Sequence, residues 1–422
     1  VSSEIELKDE IISEKTLGIV KSSKGYRCIQ CGNEDSAHFY QYFSSILNKE
    51  VIYCRQCIHL GRMDNITEYK IIKSKNVKSE GLYTLSFKLS EQQCYASEKI
   101  LSAIENCEDL LLYAVTGAGK TEMIYEGISL SRKRGFNVAI ISPRVDVVVE
   151  ISQRIKEVFL KEDIDVLHQS SKQQYNGHFV ICTIHQLYRF KNHFEVIFVD
   201  EVDAFPLPMD HHLQNAIKQA AKPLSTLIYM TATPPRHLLR QIPKHRIIQL
   251  PARFHRHPLP VPKFNYFKLN MNRTQSFLKY MLLNQFEHKR FTLVFLKNIE
   301  KMIKISEYYK KIFSDLICIS SEDALRFEKV KALREGKHRI VFTTTILERG
   351  FTMAQLDVIV INADTFEKAA LVQIAGRVGR KQEAPTGMVL FIHEGVSISM
   401  LMAKKDITRM NKLGIQRGWI DE

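Results

Sequence analysis

The glycine-rich stretch 114–121 holds the residues whose types and spacing best fit a chemical role. It follows an apolar run at 110–113 that predicts a short buried strand, and a helical pattern begins at Glu122. A strand, a glycine-rich turn, a Lys-Thr pair and a helix are typical of a phosphate-binding loop. In such a loop, main-chain N–H groups surround a polyphosphate, the lysine reaches its β- and γ-phosphates and the threonine binds Mg²⁺. The alternative is a fortuitous glycine turn. The predicted nucleotide contacts are Thr116, Gly117, Ala118, Gly119, Lys120 and Thr121.

Adjacent carboxylates follow another apolar strand, predicted at 195–199. Asp200, at the strand end, can order Mg²⁺ through its water shell, and Glu201 can polarise the attacking water as a general base. Asp203 completes an Asp-Glu-x-Asp box, and we expect it to pair within the protein and not with metal. An apolar strand that ends in Asp-Glu therefore predicts hydrolysis of the bound polyphosphate.

Two hydroxyl residues, Thr231 and Thr233, end the next predicted strand at 226–230. Their side chains can donate hydrogen bonds to the carboxylates of the Asp-Glu-x-Asp box. We predict that they couple hydrolysis to the part of the protein that binds a polymer.

A Gly-Arg-x-Gly-Arg sequence near the end of the chain places Arg377 and Arg380 three residues apart, on one helix face. Two guanidinium groups can fork onto the γ-phosphate of a nucleotide held by another domain, as arginine fingers. Gln373 begins the same segment and joins the predicted catalytic set. As a bare pattern, the sequence also fits an anion-binding turn or a pair of surface arginines.

Four cysteines near the N-terminus form two Cys-x-x-Cys pairs separated by 22 residues. Each pair can offer two thiolates to one tetrahedral Zn²⁺, and with four protein ligands the metal is structural. Disulfides or redox-active pairs are the alternatives, and a cytosolic location disfavours structural disulfides. The predicted zinc ligands are Cys28, Cys31, Cys54 and Cys57.

Polar residues follow several predicted strands, at 137–142, 179–183 and 339–342. The carboxyl ends of parallel strands are where ligand contacts gather. We predict contacts with a phosphodiester backbone there, and ordinary loop caps are the alternative. The candidates are Pro143, Arg144, Thr183, His185, Thr344, Thr345 and Arg349.

The 422-residue chain has a net charge of +14, and the charge is concentrated in one segment. Residues 236–311 carry 17 Lys and Arg against three acidic residues, which equals the whole excess. A localised basic segment favours a polyanion such as nucleic acid over a membrane, because no basic amphipathic helix is evident. A solvated linker surface is the alternative.

Strands and helices alternate in two series, which predicts an α/β fold with two parallel sheets. Residues 251–268 contain several prolines and predict a semi-rigid connector. We divide the chain into a zinc module at 1–80, a first lobe at 81–250, this basic linker at 251–268 and a second lobe at 269–422. The C-terminal tail is predicted to be a helix that packs on the core.

Taken in order, these motifs resemble the superfamily-two helicases and translocases over roughly residues 89–395. The cysteine module, the stretch 253–260 and the box 344–350 make the chain similar to the ComFA-type late-competence ATPases of Gram-positive bacteria. Two departures point away from RNA helicases: the box reads Asp-Glu-Val-Asp, and Gln373 stands where DEAD-box proteins carry His.

The resemblance implies two tandem RecA-like lobes that use ATP and Mg²⁺ and respond to single-stranded DNA. It also implies an adenine contact for Gln93, which fits the motif spacing better than Gln92. A ComFC-like partner and the uptake channel follow by resemblance alone.

We therefore predict an ATP-dependent single-stranded DNA translocase that drives uptake of transforming DNA. A DNA helicase of replication restart or repair is one alternative, because it would contain all the same ATPase and nucleic-acid-binding motifs. A nucleic-acid-binding scaffold switched by nucleotide is the other alternative, and Glu201 argues against it.

No apolar run in the sequence is long enough to span a bilayer, which takes about 18 residues or more. The N-terminal residues are polar and acidic, unlike a signal peptide. We expect a cytoplasmic protein, which on the resemblance lies peripheral to the inner face of the membrane.

Overall fold

The computed structural model describes residues 11–23, 25–168, 171, 177–348 and 351–421. A β-rich N-terminal module precedes two lobes, each built on a parallel sheet and called the first and second lobe below. The predicted α/β fold with two tandem parallel-sheet lobes is confirmed.

The N-terminal module consists of three antiparallel strand pairs, β1 with β6, β2 with β3 and β4 with β5. Cys28 is the last residue of β3 and Cys54 is the last residue of β5. Two antiparallel pairs therefore bring the Cys-x-x-Cys turns together. The strands are β1 (Ile12–Leu17), β2 (Ile19–Ser22), β3 (Gly25–Cys28), β4 (Phe39–Ser44), β5 (Lys49–Cys54) and β6 (Glu68–Ile72).

The first lobe contains a seven-stranded sheet with the strand order β13-β7-β12-β11-β8-β10-β9, and all its pairs are parallel. Its elements are α1 (Glu91–Glu105), β7 (Leu110–Ala114), α2 (Lys120–Met123), α3 (Tyr125–Arg134), β8 (Val138–Ser142), α4 (Val145–Val158), β9 (Asp165–Leu167), β10 (Phe179–Thr183), β11 (Phe194–Asp200), α5 (His211–Ala220), β12 (Ala221–Thr231), α6 (Arg236–Gln241) and β13 (Ile247–Leu250).

Strands β7, β8 and β10 are buried at every position. This is why they read as continuous apolar runs without alternation, as expected for parallel strands covered on both faces. The helix predicted from Glu122 begins earlier, at Lys120, and is interrupted at Ile124 before α3. The loops that follow β7, β11 and β12 all leave the same edge of the sheet.

The second lobe contains a six-stranded parallel sheet in the order β14-β19-β18-β15-β17-β16. Its elements are β14 (Lys263–Tyr266), α7 (Ser276–Glu287), β15 (Phe291–Phe295), α8 (Ile299–Lys310), β16 (Ile317–Ile319), α9 (Arg326–Arg334), β17 (Ile340–Thr343), β18 (Leu356–Val360), α10 (Lys368–Ala375), β19 (Val389–His393) and α11 (Ile398–Gln416).

Part of the stretch predicted as a linker, 251–268, belongs to the second sheet. Strand β14 pairs with β19, and the ring of Phe264 stacks on Phe391 at 5.9 Å between centroids. The first part of the stretch is also buried, with Arg253 only 1% exposed. The prolines and basic residues of this stretch predicted neither the strand nor the burial, because both depend on residues far away in the sequence.

The C-terminal helix α11 contacts the first lobe as well as its own. Arg409 donates a hydrogen bond to the Tyr113 hydroxyl at 3.3 Å, and the ring of Trp419 lies 5.6 Å from that of Tyr95. The predicted packing role of the tail is therefore shown, and it ties the lobes together. Among the helices that the structure describes, none has the length and apolar character to cross a membrane.

Candidate active site

The phosphate loop connects β7 to α2 with the backbone geometry that its glycines allow. Gly117 has φ 82° and Gly119, the residue that caps α2, has φ 74°. Both lie in the left-handed region that favours glycine. A Cβ at Gly119 would lie 2.2 Å from the side-chain nitrogen of Gln93. A larger residue would therefore strain the backbone at both positions.

Lys120 and Asp200 lie together at the carboxyl edge of the first sheet. The Lys120 Nζ is 3.0 Å from Asp200 Oδ1, and the Asp200 side chain is buried. A lysine at a helix N-terminus can bind phosphates, and a carboxylate beside it can bind Mg²⁺ or its water ligands. Together they suit a Mg²⁺-bound triphosphate. The loop fits this group: the lysine and helix N-terminus would hold the phosphates, and Asp200 would hold the metal's water shell.

Glu201 follows β11 in an unusual backbone conformation, with φ 52°. A non-glycine residue with positive φ is uncommon and costs conformational energy, and such residues gather at functional sites. The positive φ turns the chain sharply after Asp200. Such an outlier is expected at a functional residue, and the separate roles of the two carboxylates stay a prediction.

Asp203 accepts hydrogen bonds from both predicted coupling residues. Thr231 Oγ1 and Thr233 Oγ1 each lie 2.5 Å from one of its carboxylate oxygens. From the second lobe, Gln373 Nε2 donates to Asp203 Oδ2 at 3.5 Å. The carboxylate thus joins the end of β12 to helix α10 across the lobes.

We expect the substitutions Thr231→Val and Thr233→Val together to weaken the stimulation of hydrolysis by DNA, because valine keeps the volume but cannot donate to Asp203. The stimulation should fall about tenfold or more, equivalent to ~1.4 kcal/mol or more. ATP hydrolysis measured with and without single-stranded DNA checks this. Thr226→Val is the matched control, since Thr226 lies on the same strand and donates to Ala103 O. Unchanged stimulation in the double variant would contradict the coupling role.

The two predicted arginine fingers lie in the turn that follows α10. Arg377 is buried and donates to the main-chain oxygens of Glu348, at 2.8 Å, and of Phe351. Arg380 Nε donates to Gly376 O at 2.9 Å. In this arrangement two nitrogens of Arg377 hold main-chain oxygens of its own lobe.

The turn with the arginines meets the phosphate loop directly. Thr116 Oγ1 donates to Gly376 O at 3.2 Å, and a Cβ at Gly376 would lie 2.0 Å from that hydroxyl oxygen. The close approach requires glycine. The structure thus brings together the nucleotide contacts predicted in the first lobe and the arginines predicted in the second.

Gln93 lies beside the phosphate loop. Its side-chain oxygen accepts from Ser90 N at 2.9 Å, which completes a capping box at the start of α1. Its nitrogen donates to Gly119 O at 3.4 Å. The neighbouring Gln92, which the spacing argument set aside, is buried and pairs with both main-chain groups of Ala252 at 2.7 Å.

The candidate DNA contacts divide between the lobes. Arg144 donates to both carboxylate oxygens of Asp146 at 3.1 Å and to Ile346 O, in the other lobe, at 3.4 Å. This places Pro143 and Arg144 beside the segment that carries Thr344 and Thr345. Thr344 is buried and Thr345 is exposed. Arg349 lies outside the described residues.

The other two candidates, Thr183 and His185, lie where the N-terminal module touches the first lobe. Thr183 is buried at the end of β10, and the ring of His185 lies 5.7 Å from that of His59. Burial, and then His59, lower the pKa of His185, so the ring is mainly neutral at neutral pH. A neutral imidazole can bind DNA through a hydrogen bond but supplies little charge for a phosphate.

The four cysteines predicted as metal ligands converge in the module, with all four sulfur atoms within 4.8 Å of one another. The Cys28–Cys57 and Cys31–Cys54 sulfur distances are both 3.7 Å. Four sulfurs at about 2.3 Å from a tetrahedral Zn²⁺ are about 3.8 Å apart. The cluster fits one structural metal ion.

Comparisons with known proteins agree with this arrangement. The family described as Competence protein ComFA N-terminal domain matches residues 3–71, Type III restriction enzyme, res subunit, matches 86–236, and Helicase conserved C-terminal domain matches 273–382. Competence protein ComFA of Bacillus subtilis is 38% identical over 416 residues, which cover 96% of this chain and 89% of that protein. The chain belongs to the ComFA family.

Competence protein ComFA of Streptococcus pneumoniae is also similar, at 33% identity over 97% of this chain and 96% of that protein. The matches to the restriction-enzyme res subunit and helicase C-terminal models place the chain among the superfamily-two helicases, and the protein is a nucleic-acid-stimulated ATPase.

Among solved structures, S. cerevisiae Dbp5 bound to RNA and ADP BeF3 has a TM-score of 0.55 and 14% identity, covering 76% of this chain and 91% of that one. At this identity the likeness shows the fold alone, which is two RecA-like lobes.

Sequence reasoning missed two residues of this site, Gln92 and Arg253. Arg253 contacts both the phosphate loop and the turn with the arginine fingers. The sequence placed it in the linker because its neighbours are prolines and basic residues. One clue to its importance was present in the sequence: the stretch 253–260 is one of the features by which the chain resembles the ComFA type.

Proposed function

We propose that the protein is an ATP-driven translocase that moves along single-stranded DNA and takes part in the uptake of transforming DNA during natural competence. The observation that carries the proposal is the contact between Thr116 and Gly376, which joins the phosphate loop of one lobe to the arginine turn of the other. Neither lobe completes the site alone, so hydrolysis is tied to lobe closure. The part of the proposal that concerns competence and DNA uptake is supported by membership of the ComFA family.

Closure and reopening of the lobes would change the distance between the DNA contacts on one lobe and those on the other. The contact between Arg144 and Ile346 O supports this, because it joins one candidate of the first lobe to the segment that carries Thr344 and Thr345. A strand held by both sets experiences a change in their spacing with each ATP cycle. The basic segment 236–311 adds salt-dependent attraction without sequence preference.

We propose that the cysteine cluster holds one structural Zn²⁺ and so keeps the module folded against the first lobe. The cysteines share an apolar cluster with residues of the first sheet. Gln219 Nε2 donates to the main-chain oxygens of Ile29 and Gln30 beside them, at 3.3 and 3.2 Å. The metal would thereby also fix His59 against His185.

Replacing Cys28 and Cys31 with Ser should reduce the metal content from about one zinc per chain to none, because two thiolates cannot hold the tetrahedral site. Metal analysis of purified protein tests this, and DNA affinity measured on the same samples separates folding from recognition. Cys94→Ser is the control, because Cys94 is an exposed cysteine outside the cluster. Zinc retained at the wild-type level in the double variant would show that the cluster is not the site.

We also propose that the protein works at the inner face of the membrane, with a ComFC-like partner and the uptake channel. The support is the family resemblance, since the named relatives are competence proteins.

Duplex unwinding is the second candidate activity, and one observation favours it. The hairpin of β4 and β5 ends in an exposed apolar tip, where Ile46 is 93% exposed. An exposed apolar side chain at the tip of a hairpin can act as a wedge between bases. Strand displacement on a forked duplex, compared between wild type and Ile46→Ser, decides whether the hairpin has this role.

Steady-state ATP hydrolysis tests the proposal with four polymer conditions at one fixed, moderate salt concentration: none, single-stranded DNA, duplex DNA and single-stranded RNA. We expect strong stimulation by single-stranded DNA alone. Equal stimulation by RNA, or none by any polymer, would contradict the DNA-uptake assignment and leave the ATPase fold intact.

A further inference from the structure

Residues 252–255, called the strap below, cross the boundary between the lobes beside the nucleotide loop. On the first-lobe side, Arg253 Nε donates to Thr116 O at 3.2 Å and Phe254 N donates to Gly117 O at 3.2 Å. Gln92 holds Ala252 through two hydrogen bonds of 2.7 Å. The strap is therefore fixed to the backbone of the phosphate loop.

On the second-lobe side, the strap binds the turn that carries the arginine fingers. Arg253 Nη1 donates to Val378 O at 2.7 Å and to Gly379 O at 2.6 Å, and Nη2 donates to Gly376 O at 3.2 Å. His255 Nε2 also donates to Gly379 O, at 2.9 Å. One guanidinium thus spans both loops that ATP hydrolysis requires.

The oxygen of Gly376 is the point where these contacts converge. It accepts from Thr116 Oγ1, from Arg253 Nη2 and from Arg380 Nε, at 3.2, 3.2 and 2.9 Å. The arginine of the strap and the predicted finger Arg380 therefore share an acceptor. If one guanidinium moves, the hydrogen bond of the other to Gly376 O changes as well.

Arg253 holds its charge at a buried site. Its side chain is 1% exposed, and the four hydrogen bonds described for its guanidinium all go to main-chain oxygens. Burial, and then the charge of Arg380, lower the pKa of Arg253 to about 9, so the group remains protonated at neutral pH. A buried cation with neutral acceptors is costly to maintain, which argues for a role beyond packing.

We propose that Arg253 is a positioning residue for ATP hydrolysis, which holds the turn from Gly376 to Arg380 against the phosphate loop so that the fingers meet the reacting phosphate. Only the planar fork of arginine can bond both loops at once, because an ammonium group lacks its geometry. Since the fingers act on charge that develops in the transition state, loss of positioning lowers kcat more than nucleotide affinity.

The test is steady-state, DNA-stimulated hydrolysis by the full chain with Arg253→Lys, together with the Kd of a fluorescent ATP analogue and the melting temperature. We expect kcat to fall about tenfold to a hundredfold, with Kd and melting temperature close to wild type. Arg256→Lys is the matched control: this neighbour donates to Asp421 and Gly418 O and should keep the wild-type kcat. A wild-type kcat in Arg253→Lys overturns the proposal, as does a fall in kcat that only parallels a loss of melting temperature.

A second variant covers the case in which Arg253→Lys does not fold. Gln92→Leu releases Ala252 without changing the buried charge, so it loosens the strap and leaves the arginine in place. We expect a folded protein with a lower kcat and a nearly unchanged nucleotide Kd. A folded Gln92→Leu protein with the wild-type kcat would overturn the proposal.

Discussion

Arg380→Ala should lower the DNA-stimulated kcat about 10³–10⁵-fold, the loss typical of a missing arginine finger. Its guanidinium contacts Gly376 O, which also accepts from Thr116 of the phosphate loop, so it lies next to that loop. The nucleotide Kd should change far less, because the finger acts mainly on the transition state. Single-turnover hydrolysis with saturating DNA measures the effect.

Arg326→Ala is the matched control for that experiment. Arg326 belongs to the second lobe and its guanidinium stacks on the Phe327 ring at 4.5 Å from the centroid. Its removal costs one surface contact and should leave kcat unchanged. If Arg380→Ala hydrolysed ATP as fast as Arg326→Ala, the second lobe would not complete the site.

Glu201→Gln should bind ATP normally and hydrolyse it about 10²–10⁴-fold more slowly, because glutamine keeps the shape but cannot accept the proton of the attacking water. The backbone turn at φ 52° should persist, since the amide is isosteric with the carboxylate. Pre-steady-state hydrolysis together with the Kd of an ATP analogue separates the chemical step from binding.

Glu150→Gln is the comparison for Glu201→Gln, because Glu150 forms an exposed ion pair with Arg154 on α4. Exposed pairs contribute little to stability. A Glu201→Gln protein that kept the turnover of Glu150→Gln would remove Glu201 from the role of general base.

The individual elements were predictable where strong local patterns exist. Strand β10 begins and ends where the sequence placed it, because apolar runs bounded by polar residues define buried parallel strands. The phosphate loop was predictable because glycine at 117 and 119 meets a backbone requirement that no other residue meets well. These features depend on neighbours a few residues away.

The contacts that assemble the site were not predictable in the same way. Arg253 bonds residues more than a hundred positions before and after it, and no periodicity in its segment reports this. Strands β14 and β19 are equally far apart in the sequence. Because they pair, the second sheet begins inside the segment that was predicted to be a linker. The contact between His59 and His185 likewise depends on how the N-terminal module packs against the first lobe.

Movement along DNA is the central claim, and displacement of streptavidin from biotinylated single-stranded DNA tests it most directly. The strand carries biotin at one end or the other, and release is followed with ATP for wild type and Glu201→Gln. We expect ATP-dependent release by wild type from one end and not the other, and none by the variant. Rapid DNA-stimulated hydrolysis without release from either end would contradict translocation.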